Sequence, residues 1–289
     1  MTKTLSKAPS MLALYLKAAL KKNKPAYKIA DTLPALAVEL HTQVINRNKL
    51  KKYQSLCGFE KAKTIPASYL QILTFPLQMQ LLTEKAMPFA VMGLVHLNNH
   101  IEVFKAITSD DGPFTLSAQI GKQQLTPKGL SFEVIAQVKN TDGELLWQAH
   151  ASFLHRCKTD IEKTHSTTKA PLLSNQQHWN LASNIGRRYG RLSLDINPIH
   201  LFAFSAKLFG FKRQIAHGLY LNARCIAALE GQLPPAPYKI ETAFKRPLLL
   251  PAKVVFYHQR QSPQHLLEVW SEDQQALHLS ASITALVHS

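Results

Sequence analysis

The run Arg191–His200, RLSLDINPIH, places a carboxylate (Asp195), an amide (Asn197), a proline (Pro198) and an imidazole (His200) in close succession. Pro198 fixes its own φ and biases Asn197 towards extended backbone, so the segment carrying the two ionisable groups is stiffened. A second feature follows at Ile215-Ala216-His217-Gly218-Leu219, which opens an apolar stretch running through Cys225 to Leu229. A glycine at a helix start leaves backbone N–H groups open at the positive end of the dipole, where they can bond an anionic oxygen or a polarised carbonyl. An acid–imidazole pair followed by such a donor is the minimum set for polarising a carbonyl while moving a proton and a water. Each part also has a plain structural reading. Asp195 fits an N-cap for a helix beginning near Pro198, His200 a half-buried imidazole, and Gly218 a point of close packing. The spacing alone leaves both readings open.

The elements that must position these groups occur twice. Residues 49–60 (KLKKYQSLCGFE), 65–82 (IPASYLQILTFPLQMQLL) and 100–120 (HIEVFKAITSDDGPFTLSAQI) give a short helix, an apolar helix and then strands. Residues 186–195 (GRRYGRLSLD), 215–229 (IAHGLYLNARCIAAL) and 238–258 (YKIETAFKRPLLLPAKVVFYH) repeat that order. After each apolar helix the period shifts to two: Phe114, Leu116, Ala118 and Ile120, then Phe132, Val134, Ala136 and Val138, alternate with polar or small neighbours. In the second half Val254–Tyr257, Leu266–Trp270 and Leu277–Val287 read as strands, with turns at Asn140–Gly143 and Ser271–Asp273. The polar stretch Lys158–Gln177 reads as the linker. Each half is thus a long helix on an antiparallel sheet, an α+β arrangement with halves at 1–160 and 161–289. Aligning the halves sets Tyr53 on Tyr189, Cys57 on Ser193, Gly58 on Leu194 and Phe59 on Asp195. The first half has neither the acid nor the Asn-Pro-x-His run.

At 289 residues, 46% hydrophobic and 18% charged, the chain has the composition of a globular protein rather than a disordered one. Three scattered cysteines, Cys57, Cys157 and Cys225, make no disulfide framework or metal spacing and point to a reducing compartment. The net charge of +16 comes from both halves: twenty basic against eleven acidic residues over 1–160, fourteen against seven over 161–289. Such a field attracts polyanions, although solubility alone also accounts for it. Only Lys21-Lys22-Asn23-Lys24 resembles a basic run, and zinc-finger, RNA-binding and heptad patterns are missing, so nucleic acid is not the expected partner. Near the N-terminus the apolar core Met11–Leu16 is broken by Lys17 and lacks a cleavage site, and no apolar run approaches the ~20 residues of a membrane span. Leu12, Leu16, Ala19 and Leu20 are spaced as an amphipathic docking helix in a cytoplasmic protein.

The stretch from Tyr189 to Gly218, YGRLSLDINPIHLFAFSAKLFGFKRQIAHG, resembles the signature of the MaoC-like, or hydratase-2, family, Y…SGDxNPxH…A…GF…xIxHG. A weaker likeness, including FKRPLLLP (Phe244–Pro251), extends over most of the second half. The resemblance implies a double hot-dog fold whose first half has lost the motif. It also implies reversible hydration of trans-2-enoyl thioesters, the reverse being dehydration of (R)-3-hydroxyacyl thioesters. On it, Asp195 and His200 are the catalytic dyad acting on one water, and the Gly218 N–H holds the thioester oxygen as it becomes an enolate. Ser193, Asn197 and His217 are supporting residues, and Leu194 stands where the family pattern has glycine, a residue that marks a special φ or a close approach.

The implied substrate rides on coenzyme A or acyl carrier protein, both anionic, which suits the basic surface; Lys212, Arg213, Lys245 and Arg246 are the candidate phosphate contacts. Hydration calls for no cofactor and no metal, and the 13 histidines show no HxH or HExxH spacing. The first half would close the pocket, with Phe75, Met79 and Met87 lining an acyl tunnel or simply filling core. The chain is expected as a monomer or homodimer. A non-catalytic acyl-thioester-binding protein and a hot-dog acyl-CoA thioesterase are the alternatives.

Overall fold

The computed structural model describes residues 2–21, 32–60, 63–162 and 173–286. Elements follow the order β1 (Thr2–Leu5), α1 (Met11–Leu20), β2 (Ala37–Gln43), α2 (Arg47–Cys57), α3 (Ala67–Leu82), β3 (Val95–Val103), β4 (Phe114–Thr126), β5 (Gly129–Lys139) and β6 (Leu145–Arg156). The second half continues with β7 (Asn175–Leu181), α4 (Ile185–Ser193), a 3-10 turn at Pro198–His200, α5 (Ala203–Lys207), α6 (Gly218–Ala228), β8 (Tyr238–Phe244), β9 (Ala252–Gln261), β10 (Gln264–Ser271) and β11 (Leu277–Ala285).

The internal repeat is visible in the sheet. Its order is β1-β2-β4-β5-β6-β3-β8-β11-β10-β9-β7. Counting outward from the central β3–β8 pair, both halves lay down their strands in the same order, first, last, third, second and then the strand before the helices, with β1 added beyond β2 in the first half. β3 and β8 run antiparallel with Ile101 opposite Ile240, so the two halves share one continuous sheet. Alternation sets the inner face: Phe132, Val134, Ala136 and Val138 of β5 are buried while their neighbours are half-buried.

The α3 segment is buried on nearly every side, as a helix wrapped by a sheet must be. Trp147, Phe114, Phe132 and Phe256 are among the fully enclosed side chains of one core that spans both halves. Burying each contributes roughly 1.5–3 kcal/mol. Tyr53 and Tyr189, which the repeat aligns, meet with ring centroids 6.1 Å apart where α2 and α4 pack. No helix among the described residues is long and apolar enough to cross a membrane.

Two expectations change. Helix α1 forms, but its buried positions are Leu14 and Ala18, with Met11 and Tyr15 partly buried beside them; Leu12, Leu16 and Leu20 face outward. Of the two readings of Phe75, Met79 and Met87, the packing one is visible: Phe75 and Met79 pack beneath that helix, and Met87 belongs to the main core. The linker ends earlier than its polar composition indicates, because Asn175–Gln177 already pair with β9 as edge strand β7. Residues 163–172 of the linker, Lys22–Lys24 of the basic run and Val287 lie outside the described residues.

Candidate active site

Helix α4 delivers the acid. It ends at Leu194, which adopts a left-handed conformation (φ 65°, ψ 7°) and turns the chain so that Asp195 doubles back onto the helix. Gly186 and Gly190, one turn apart, make that return possible: a Cβ at Gly186 would lie 2.1 Å from the His200 carbonyl oxygen, and one at Gly190 2.8 Å from that of Asp195. The loop is then locked by its own side chains. The Asn197 side chain accepts from the Ile199 N–H at 3.3 Å, capping the 3-10 turn, and the Asn197 N–H donates to Asp195 Oδ1 at 3.2 Å. Buried Ser193 accepts the Asp195 N–H at 3.2 Å. The Arg187 guanidinium donates to the Leu201 carbonyl at 2.7 Å.

His200 comes from the 3-10 turn, which the Ile215 N–H joins at the Ile199 carbonyl (3.0 Å), and His217 follows the short antiparallel bridge between Ile215 and Leu249. His200 Nδ1 lies 2.9 Å from the Ile215 carbonyl, which can only accept. That ring nitrogen therefore carries the proton, and Nε2 keeps its lone pair. His217 Nε2 lies 2.9 Å from the Asp195 main-chain oxygen and 3.7 Å from Oδ2. The two rings stack with centroids 3.7 Å apart. Atoms of Asp195, His200 and His217 that could each accept or bind a ligand all lie within 4.8 Å of one another. This spacing would also suit a cation, although one nitrogen of each imidazole is already committed to a carbonyl.

His217 is the N-cap of α6, with no side-chain capping bond, and Gly218 is the first helical residue. The bonds across this start run from the Tyr220 and Leu221 N–H groups to the His217 carbonyl. The Gly218 N–H belongs to the set that a helix leaves unpaired at its N-terminus. A Cβ on Gly218 would sit 2.6 Å from the Phe244 ring, so only glycine fits between helix and strand.

Electrostatics separates the roles. Burial pushes the Asp195 carboxyl up, but His217 and His200, the Asn197 N–H and Tyr15 outweigh it, and the acid lies below its usual range. Burial drives His200 below the ordinary histidine value against the pull of Asp195 and the Ile215 carbonyl. Burial, then the neighbouring His200, takes His217 down to about 3. Near neutrality the cluster is therefore one carboxylate beside two neutral imidazoles.

Of four further participants, only Tyr189 belongs to the motif read from the sequence. The Tyr15 hydroxyl, from α1, donates to Asp195 Oδ1 at 3.0 Å across 180 residues. Tyr189 lies 5.0 Å from the His217 ring with its hydroxyl against Tyr53, and among the described residues His217 Nδ1 and His96 Nε2 are buried without a partner. His96 comes from β3, and its ring packs 4.8 Å from Phe244, the residue against Gly218. The fourth is the Gly186/Gly190 pair: the glycines are plain in GRRYGR, but their reason appears only once the loop folds back. Leaving a buried polar group unmet costs about 1–3 kcal/mol, so unpartnered atoms gathered here favour a polar guest.

The basic residues separate. Lys212, Arg213, Lys245 and Arg246 are all exposed. Ala216 N–H donates to Leu248 O and Leu250 N–H to Gln214 O, so the antiparallel register carries Lys245 and Arg246 to the Gly218 end of the bridge and Lys212 and Arg213 to the other.

Fold and site together define a double hot-dog protein with an acid–imidazole cluster in its second half. A family model described as MaoC like domain matches residues 162–266. The 3-hydroxyacyl-thioester dehydratase X of Mycobacterium tuberculosis is 30% identical over 238 residues, 81% of this chain and 83% of that protein. The crystal structure of M. tuberculosis HtdX superposes with a TM-score of 0.75 at 26% identity, covering 86% of this chain and all of that one. Another M. tuberculosis protein, described as having a double hotdog fold, shares the architecture alone: TM-score 0.52, 11% identity, 93% of this chain and 97% of that one. The chain belongs to the MaoC-like dehydratase family and is a hydro-lyase.

Proposed function

We propose that the chain adds water reversibly across the C2=C3 bond of a trans-2-enoyl thioester and, in the other direction, dehydrates an (R)-3-hydroxyacyl thioester. The observation that carries this is the cluster itself: an ionised Asp195 and a neutral His200 with a free Nε2, close together beside the open start of α6. In hydration, His200 Nε2 takes a proton from a water oriented by Asp195 as the water oxygen bonds to C3. The C2=C3 electron pair moves towards the thioester, whose oxygen takes up the charge. The Gly218 N–H faces that oxygen, a contribution worth about 2.7–4 kcal/mol in comparable sites. The proton then returns to C2, so one water is added with nothing left over.

In this reading residues 161–289 form the catalytic half and residues 1–160 the half that lost the motif, which supplies Tyr15 and His96 to the site's walls. The carrier is coenzyme A or acyl carrier protein, met by Lys245 and Arg246. The relative's name, a 3-hydroxyacyl-thioester dehydratase, supports the thioester as substrate.

The test is a panel of trans-2-enoyl-CoAs of increasing length, following enoyl absorbance, free thiol and product chirality. Loss of absorbance without thiol, giving the (R)-3-hydroxy product, is expected. Thiol release would make the chain a thioesterase, and binding without either change would make it an acyl-thioester carrier.

A further inference from the structure

Helix α1 stands outside the repeat that builds both halves, yet it reaches the acid. It is anchored at three points. β1 pairs in parallel with β2, Leu14 and Ala18 pack on Met79, and Lys21 Nζ donates to the Leu82 and Glu84 carbonyls at 3.0 and 2.6 Å. The inner face of the helix is Met11, Leu14, Tyr15 and Ala18, the spacing of one stripe along a helix. Its leucines at 12, 16 and 20 point to solvent while a phenol occupies the inner face.

The hydrogen bonds of that phenol fix the direction of its proton. The Ile196 N–H donates to the Tyr15 oxygen at 2.9 Å, so the hydroxyl's acceptor side is taken and its single hydrogen is left for Asp195 Oδ1 at 3.0 Å. Oδ1 also receives the Asn197 N–H. Both bonds fall on the same carboxylate oxygen, which turns Oδ2 to the His217 side, 3.7 Å from its Nε2. Burial and the adjacent carboxylate push the Tyr15 hydroxyl far above its ordinary pKa, so it donates without giving up its proton.

We propose that Tyr15 is a positioning residue for the hydration reaction: by bonding Oδ1 and the backbone next to it, Tyr15 fixes the rotation of the Asp195 carboxylate so that Oδ2 meets the water. The N-terminal helix is then a working part of the site. This rests on the hydratase reading above. Tyr15 acts through Asp195 and touches no substrate atom. The other groups turned towards this carboxylate are His200 and His217, with Tyr189 from α4 and His96 from β3 further out.

Tyr15→Phe removes only the hydroxyl and keeps the ring that packs on Met79 and its neighbours. Expected is a fall in kcat of about tenfold or more with KM within twofold of wild type. In 13C-NMR, the titration of the Asp195 carboxyl, assigned by its loss in Asp195→Asn, should show a higher midpoint in Tyr15→Phe, because the carboxylate has lost a donor. Leu14→Ala loosens the helix but keeps the hydroxyl, and it should lower the melting temperature without moving that midpoint.

A Tyr15→Phe enzyme with wild-type kcat, a loss confined to KM, or an unmoved Asp195 midpoint overturns the proposal. A wild-type protein that hydrates no enoyl thioester overturns the hydratase reading instead, and the NMR midpoint still reports whether Tyr15 governs the carboxylate.

Discussion

Gly58 and Leu194 close corresponding helices in the same left-handed conformation, at φ 90° and 65°. The repeat aligns them, and glycine stands in the first half, where the acid is gone, while leucine stands directly before Asp195. A side chain in this region costs about 1–2 kcal/mol, partly offset by the smaller entropy that leucine loses on folding. Leu194→Gly is therefore expected to raise stability by about 0.5–1 kcal/mol, read as a higher denaturation midpoint at unchanged slope. Lower stability would mean that the half-buried Leu194 side chain contributes more packing than its backbone costs.

That turn also shows where the sequence was informative. The order of helices and strands, the repeat and the Asp195–His200 pair were legible because each rests on local spacing: period 3.6, then period two, then a proline-stiffened loop. The left-handed turn was legible too, since a resemblance that expects glycine before Asp195 flags the backbone even where leucine replaces it. Tyr15 was not. Its partner lies 180 residues away, and the strongest apolar residues of its helix, Leu12 and Leu16, gave the wrong inner face. The β3–β8 junction escaped for the same reason: a pairing between halves leaves no mark in either. Strand β7 hid in a polar stretch because an edge strand needs few apolar residues.

Removing the groups assigned to proton transfer should be costly. Asp195→Asn and His200→Gln are each expected to lower kcat by roughly 10²–10⁴-fold, the range for a positioned acid or base. The double variant should lose little more than the worse single one, because in the proposed mechanism the two act on the same water. Steady-state hydration by the three variants checks this; wild-type turnover in either single variant removes that residue from the mechanism.

On the proposed mechanism the working state is a carboxylate with neutral imidazoles, and it sets the pH dependence. Asp195 and His200 both lie below their usual values. Both are then in working form at neutrality, and activity should fall only as pH drops through the depressed His200 value, below ~6.5. Stability follows the same direction. His217 titrates near 3 in the folded chain and near ~6.5 when unfolded, so the unfolded state takes up its proton first. Its contribution is fully present above pH ~6.5 and is lost as pH falls towards 3, at up to about 1.4 kcal/mol per pH unit. Urea titrations at pH 7 and pH 5 should show this loss, and His217→Asn should reduce the difference between them.

Gly218→Ala tests the close contact at the start of α6. The added Cβ would lie 2.6 Å from the Phe244 ring, and overpacking of this kind costs about 1–3 kcal/mol. Both stability and kcat should drop. Adding Phe244→Leu makes room and should restore much of the stability. If kcat stays low in the double variant, the N–H has been displaced; if kcat returns, packing alone was at fault.

The split of the basic residues predicts an asymmetry. Lys245 and Arg246 follow Phe244, which touches Gly218, whereas Lys212 and Arg213 extend from the other end of the Ile215–Leu249 bridge. A carrier whose thioester reaches the Gly218 N–H brings its phosphates past the nearer pair. Charge reversal there, Lys245→Glu with Arg246→Glu, should raise KM for enoyl-CoA about tenfold and leave kcat nearly unchanged, with a difference that shrinks as salt screens it. The same change at Lys212 and Arg213 should move KM less than twofold. Equal effects from the two pairs would mean that the basic surface acts as a general field rather than as a phosphate contact.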